Sequence, residues 1–428
     1  MRSSSRFLAA IAMTAIVVGA CSSTTATPTV APVTPAPVTP APVTAAPTTA
    51  PTTVASAPAG LSISSFDAAF TAMAQLTSVT SAGSGMVGVI LPDVTTSARY
   101  TSYDLPYLTQ AFTAAGYTAS QFKIQNASGT TTTEVAIAQA DIAAGAKVLL
   151  VDPLDGPTGK QIQSLAAAAG IPMISYDRAT FQGTSTYYVS FDNVQVGKLI
   201  GQGFLDCVTA WNVKSPMVFT LDGGQDTDPN AISFATGYNS VVWGQSVAQV
   251  ADGATNNGMT LVHEQLAPGW DNAQGQTIFK TYYTGHKQIN ATIEANDGLA
   301  NAVITDLKAA GIAAKTVPTV GQDATLAGME NVLNGWQCGS VYKPVYLEAQ
   351  AAVALATYLR AGQTPPATLV NGTTKDPAST TTEPAVLLVP YWVNAANMES
   401  TVIKDKFVSV TDLCNAVGAA VCTTAGIQ

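Results

Sequence analysis

The sequence predicts an α/β protein of two lobes, each built on a parallel sheet. Three observations carry that expectation. Short apolar strands alternate with amphipathic helices, which signals parallel strands joined by right-handed crossovers. The series runs through once and then restarts. The unusual polar clusters fall at the carboxyl ends of strands, where open parallel sheets place their ligands. A chain of 428 residues is long enough for two such domains.

The first series opens at "MVGVIL", a strand, followed by a helix from Leu105 to Ala115 that stops near Gly116. "FKIQNA" is the next strand, with a helix over Thr133 to Ala144 closed by Gly145. "KVLLVDP", a helix over Gly159 to Ala169 and "IPMISYD" complete it. The second series begins at "YYVSFDN", with a helix over Val194 to Thr209. "MVFTLDG" follows, then a helix expected from Asn230 to Gln249. "TLVHEQ", "INATIEAND" and "TVPTVGQDA" read as further strands, and "LLVPYWV" as a late one.

Composition narrows the function. Charged residues make up 11% of the chain, against about a quarter in ordinary proteins. Clustered charges are therefore informative. The net charge of −9 argues against a nucleic-acid partner, which requires a basic face. There are two histidines, His263 and His286, and neither neighbours a cysteine. A zinc site or a histidine-based triad lacks raw material, so no cofactor and no metal is expected.

The N-terminus reads as an export signal over residues 1–20. Arg2 and Arg6 form its basic part, and Phe7 to Val18 its apolar part, too short to span a bilayer. "VGAC" then resembles the lipobox of bacterial lipoproteins, which makes Cys21 the expected lipidation site and the membrane a partner through a lipid anchor. An ordinary secretory signal is the alternative. Residues 21–60 repeat "APVTP" and contain little large apolar surface, so they read as an extended, disordered tether. Four cysteines follow, an even number in an exported chain, which suggests disulfides rather than free thiols. Cys414 and Cys422 are close in sequence; pairing them leaves Cys207 with Cys338.

The polar clusters are "YDR" at 176–178, "GGQDTDPN" at 223–230, "AND" at 295–297 and "GQDA" at 321–324. An Asp after a strand is most often a helix cap. Four clusters on one rim of a charge-poor chain need another explanation. A set of acceptors, donors and amides fits a ligand covered in hydroxyls, because each buried hydroxyl needs partners. Charged partners strengthen those bonds, and an aromatic ring covers the apolar face of a sugar.

With "YVSFDN", "GKL", "GW" at 269–270 and "VYKP" at 341–344, these motifs make the chain resemble the type 1 periplasmic sugar-binding proteins of ABC transporters. Within that family it is most similar to the D-xylose-binding group. The resemblance runs over about 84–405; the cysteine-containing tail, 406–428, departs from it. It implies two Rossmann-like lobes joined by a three-strand hinge. The N-terminal lobe would comprise 84–189 with 345–389, and the C-terminal lobe 190–342 with 391–428. Crossings are expected near Ser190 to Asp192, Tyr342 to Pro344 and Val389 to Val393.

The implied ligand set is Arg99, Tyr100, Asp177, Arg178, Asp228, Asn230, Trp270, Asn296, Asp297, Asp323 and Lys343. Asp177 and Arg178 are expected to hold adjacent hydroxyls and partly neutralise each other. Trp270 is the expected aromatic plate, with Tyr100 a second wall and Gln322 a support for Asp323. The implied partners are a monosaccharide, D-xylose first, and the permease and ATPase subunits of an ABC importer, with the protein itself a monomer. An enzyme, such as a glycosidase using paired carboxylates, is disfavoured. Each acid has a basic or amide neighbour, which suits binding more than proton donation. A sugar-sensing receptor would use the same cleft, so transport and sensing stay open at this point, as does the choice among glucose, ribose, galactose and xylose.

Overall fold

A computed structural model describes residues 61–94, 97, 99–180, 187–375 and 382–428. The signal sequence, Cys21 and the tether lie outside the described residues. All described elements belong to one unit, Val54–Gln428, which contains the two lobes.

The first lobe is built on a seven-stranded sheet. Its strands are β1 (Met86–Leu91), β2 (Phe122–Asn126), β3 (Ala146–Val151), β4 (Met173–Tyr176) and β5 (Tyr187–Phe191), with two later ones below. The second lobe holds β6 (Met217–Gly224), β7 (Thr255–Asn256), β8 (Met259–Pro268) and β9 (Ala291–Glu294). β10 (Ser340–Tyr342) follows, then β11 (Gly372–Lys375), β12 (Thr382–Leu388) and β13 (Tyr391–Val393). The large sheet has the order β11-β12-β5-β4-β3-β1-β2, parallel except for the β11–β12 pair. The smaller sheet runs β7-β8-β6-β9, parallel except for β7–β8. In both sheets the first strand in chain order, β1 or β6, is interior and the order reverses beside it, which opens a crevice at the carboxyl ends; "YYVSFDN", expected to open the second series, is instead β5 of the large sheet.

The buried strands are continuous apolar runs because helices cover both faces: Val87, Val89, Val148, Leu150, Ile174 and Val189 are fully buried. The folded body starts earlier than the motifs suggest. Leu61, Phe70, Met73, Leu76 and Val79 pack into the core of the first lobe, and Arg360 donates to the carbonyls of Thr80 and Gly85.

Three segments link the sheets. After β5 the chain enters the helix Asn193–Ala210, which packs on the helix Pro229–Val242. That packing is close: a Cβ on Gly197 would lie 2.0 Å from the Phe234 carbonyl oxygen. After β10 the chain enters the helix Val345–Arg360, which lies against β3 and β5. After β12 it enters β13, antiparallel to β10. Trp392 fills the space that side chains on Gly203 and Gly339 would occupy. Disulfides join Cys207 to Cys338, with Cα atoms 5.9 Å apart, and Cys414 to Cys422, 5.8 Å apart.

Three expected elements are corrected. The helix from Asn230 ends at Val242, not Gln249, because Gly244 turns into the left-handed region (φ 70°). "TVPTVGQDA" forms no strand; it makes one isolated bridge, Gln322 to Val341. Pro318 has no N–H, and the Val320 N–H is taken by the Glu294 carboxylate at 3.0 Å, which breaks the ladder. "LLVPYWV" is two strands, since Val389 and Pro390 fall between β12 and β13.

Candidate functional site

A tight cavity of about 30 Å³ lies between the lobes, lined by residues that follow β1, β4, β6, β8, β9 and β10. Three cations, Arg99, Arg178 and Lys343, and three carboxylates, Asp177, Asp228 and Asp323, face it. Tyr100, Asn230, Trp270 and Asn296 complete the expected residues on its wall. Larger recesses of about 210 and about 470 Å³ flank it and share wall residues with it.

Arg99 is the hub of the first lobe's half. It is 2% exposed and ion-pairs with Asp104 (2.8 Å), Asp177 (2.7 Å) and Glu348 (2.7 Å). The pairing with Asp104 is two-pronged, Nε to Oδ2 and Nη2 to Oδ1, and Tyr176 OH donates to the same carboxylate. Burial pushes the Glu348 carboxyl up to about 8. Burial acts on Asp177 too, but Arg99, Lys343 and Arg178 outweigh it and hold its carboxyl below the ordinary value.

The Arg178 charge helps hold the Asp177 carboxyl low, as expected, but the two side chains do not hydrogen-bond to each other. Asp177 sits at φ 55°, so consecutive side chains diverge. Asp177 turns to Arg99, while Arg178 donates to Tyr100 OH at 2.9 Å and lies 3.8 Å from Asp152. Tyr100 OH in turn donates to Asp177 Oδ2 at 3.3 Å, so the phenol bridges the two. Tyr100 thus acts through its hydroxyl as well as its ring.

The second lobe supplies the opposite wall. Asp228 caps the helix Pro229–Val242 through the Asn230 and Ala231 N–H groups and also accepts from Trp270 Nε1 at 3.0 Å. A cap and a site residue are therefore the same side chain. Asn230 Nδ2 reaches across to the Asp177 carbonyl oxygen at 2.8 Å. Trp270, at φ 60°, packs flat over Gly223, where a Cβ would lie 2.0 Å from its ring. Asp323, at φ 93°, pairs with Lys343 at 2.9 Å. Three wall residues in the left-handed region mark stored backbone strain, which concentrates at functional sites.

Asp297 is the exception among the expected residues, since it does not line the cavity. It is fully buried behind the wall and accepts from the Thr325 N–H, Ser340 Oγ and Gln337 Nε2. It ties the Asp323 loop to β10, directly after which Lys343 follows. Burial, with Asp323 nearby, pushes its carboxyl up to about 7.

Ser97, Phe234 and Gln322 also line the cavity. Phe234 had a readable signal: it is one helical turn after Asn230 and so shares its face. Its ring meets Trp270 edge to face at 6.1 Å. Gln322 donates to the Ala295 carbonyl oxygen, bracing the loop before Asp323. Ser97 carried no sequence signal.

Two α/β lobes closing on a charge-balanced polar cavity define a bilobal solute-binding protein. The periplasmic binding protein domain matches residues 87–364, and the chain belongs to that family. The D-xylose-binding periplasmic protein of Escherichia coli K12 is 32% identical over 292 residues, 68% of this chain and 82% of its own length. The multiple sugar-binding periplasmic protein SbpA of Azospirillum brasilense is 28% identical, covering 74% of this chain and 88% of that one. A solute-binding protein from Clostridium phytofermentans, solved with β-D-glucose, shares the fold at a TM-score of 0.66 and 23% identity, covering 77% of this chain and 99% of its own.

Proposed function

We infer that this protein is the extracytoplasmic solute-binding component of an ABC importer and captures a monosaccharide, D-xylose first, between its lobes. The observation that carries the reading is the charge balance of the central cavity. Three cations and three carboxylates converge there with amides and an aromatic plate. Such a wall offers donors and acceptors to a ligand that is itself neutral. The relatives support the sugar class: two are named for D-xylose and two for multiple sugars. Three are named as binding proteins and one as a sugar-binding receptor, and the reading involves no chemistry on the ligand.

The proposed ligand residues are the ten expected ones among those that line the cavity; Asp297 positions them. A cavity of about 30 Å³ holds little more than water. Sugar entry therefore requires the lobes to part about the three linking segments, as hinged binding proteins do. The lobe boundaries proposed are 84–189 with 345–389, and 190–342 with 391–428. Lipidation at Cys21 and the tether would hold a monomer at the outer face of the cytoplasmic membrane, beside its permease and ATPase. A sensing receptor is the second reading; it would use the same cleft, and genes for a permease and an ATPase beside this one would decide for transport.

Titration calorimetry on verified ligand-free protein with xylose, glucose, ribose, arabinose and galactose tests the proposal. Xylose is expected to bind at micromolar concentration or below, roughly −8 kcal/mol or better. No heat with any of the five overturns the sugar reading. A clear preference for glucose keeps the class and removes xylose.

A further inference from the structure

We propose that the cleft takes a two-ring sugar: one ring in the central cavity and a second, glycosidically linked ring in the 470 Å³ recess beside it. This rests on the sugar reading above and extends its ligand class from monosaccharides to disaccharides. The recess is continuous with the central cavity, because Ser97, Asn296 and Asp323 wall both. Its volume is within the range of ordinary small-molecule pockets, roughly 300 to 1,000 Å³.

The chemistry of its wall differs from that of the centre in an informative way. The central cavity is ringed with paired charges. The recess is lined mainly by neutral amides and hydroxyls, with Ser102, Asn272 and Asn301 among them, and by the ring of Tyr103. Neutral amides and hydroxyls suit a sugar ring that stays partly hydrated and needs no charged partners. Tyr103 is 9% exposed and held by stacking on Phe407, with ring centroids 3.9 Å apart. It offers a fixed apolar plate for a second ring, as Trp270 does for the first. Asn272 Oδ1 is buried at this wall without a hydrogen-bond partner among the described residues. A buried acceptor of this kind costs free energy until a donor reaches it, and a sugar hydroxyl is such a donor. The recess of about 210 Å³ on the other side is the weaker candidate. It is the smaller of the two, and Asp93, Asp155, Asp228 and Arg178 make its wall more charged than that of the 470 Å³ recess, whose charged wall residues are Asp323 and Glu330.

The test compares two sugar pairs by calorimetry on the ligand-free full chain: D-xylose with β-1,4-xylobiose, and D-glucose with cellobiose. For the monosaccharide that binds, its disaccharide is expected to bind at least as tightly. The blocking variant is Ala327→Trp, an exposed position on the recess wall. It is expected to weaken the disaccharide at least tenfold while leaving the monosaccharide within twofold. A disaccharide tenfold or more weaker than its monosaccharide overturns the inference and leaves the monosaccharide reading standing. Equal loss of both ligands in Ala327→Trp also overturns it. Silence from both pairs removes this inference, and with silence from the other three sugars it removes the sugar reading too.

Discussion

Arg99 Nη1 lies 2.7 Å from Asp177 Oδ1, and both residues are buried, although 78 positions separate them in sequence. The partner beside Asp177 in the chain, Arg178, points elsewhere. Two consequences follow for the cavity. Asp177 is kept ionised chiefly by Arg99 and Lys343 from other elements, with Arg178 adding to this through space, and the Arg178 guanidinium makes its hydrogen bonds to other groups. Among the described residues, Arg178 Nη1 and Nη2 donate to the Pro153 carbonyl oxygen and Tyr100 OH.

Arg178→Ala is therefore expected to remove a charged donor from the wall. Truncating one side of a buried charged hydrogen bond costs about 2 to 5 kcal/mol, roughly 30-fold to several thousand-fold in affinity. Arg178→Lys should also bind weakly, because lysine lacks the planar fork. Calorimetry gives the affinity, and the melting shift on adding saturating xylose gives an independent reading. Unchanged affinity and an unchanged shift would remove Arg178 from the site.

Gly223→Ala probes the plate from behind. A Cβ there would sit 2.0 Å from the Trp270 ring, so the ring must move. Affinity for xylose is expected to fall at least tenfold, about 1.4 kcal/mol. Wild-type affinity in a folded Gly223→Ala protein would show that the Trp270 position is immaterial to binding.

Stability should depend on pH through buried acids. Glu294 is fully buried, and burial pushes its carboxyl up to about 8. In an unfolded chain a glutamate ionises near roughly 4.3. Between these values the native state holds a proton that the unfolded state has lost. Its stabilising contribution is complete below about pH 4 and is lost as pH rises through 8. Glu134 and Glu348 shift in the same direction, each to about 8; Asp177 shifts in the opposite one. The melting temperature is expected to fall from pH 5 to pH 9, and Glu294→Gln to flatten that fall. Parallel slopes for the two proteins would exclude Glu294 as a contributor.

The two disulfides should differ in weight. Cys207–Cys338 closes a separation of 131 residues and Cys414–Cys422 one of 8. The chain-entropy relation gives about 5 kcal/mol for the first and about 2.5 for the second. Replacing each pair by alanine and measuring denaturant unfolding tests the order. Removing Cys414–Cys422 should leave sugar affinity within twofold.

Much of the fold was legible because burial on both faces of a parallel strand leaves a continuous apolar run, as in "MVGVIL" and "KVLLV". The strand-end clusters were legible because charge is scarce in this chain. What was not legible depended on distant partners. Arg99 gives no local sign that Asp104, Asp177 and Glu348 surround it. Asp297 carries the same motif as a wall residue, and its role turns on Thr325, Gln337 and Ser340. The failed strand over 316–324 has strand-like residues, but a glutamate side chain takes one of its ladder donors. Phe234 is readable by its helical spacing from Asn230, although no polar motif contains it.

The central claim is that the cavity wall is the sugar site, and a crystal structure of the protein with D-xylose tests it most directly. The account predicts one pyranose ring stacked on Trp270 between the lobes, its hydroxyls within about 3.2 Å of Asp177, Arg178, Asn230, Asn296 and Asp323. A ring bound elsewhere on the molecule, or none at saturating xylose in crystals of protein that calorimetry shows to bind it, would contradict the account.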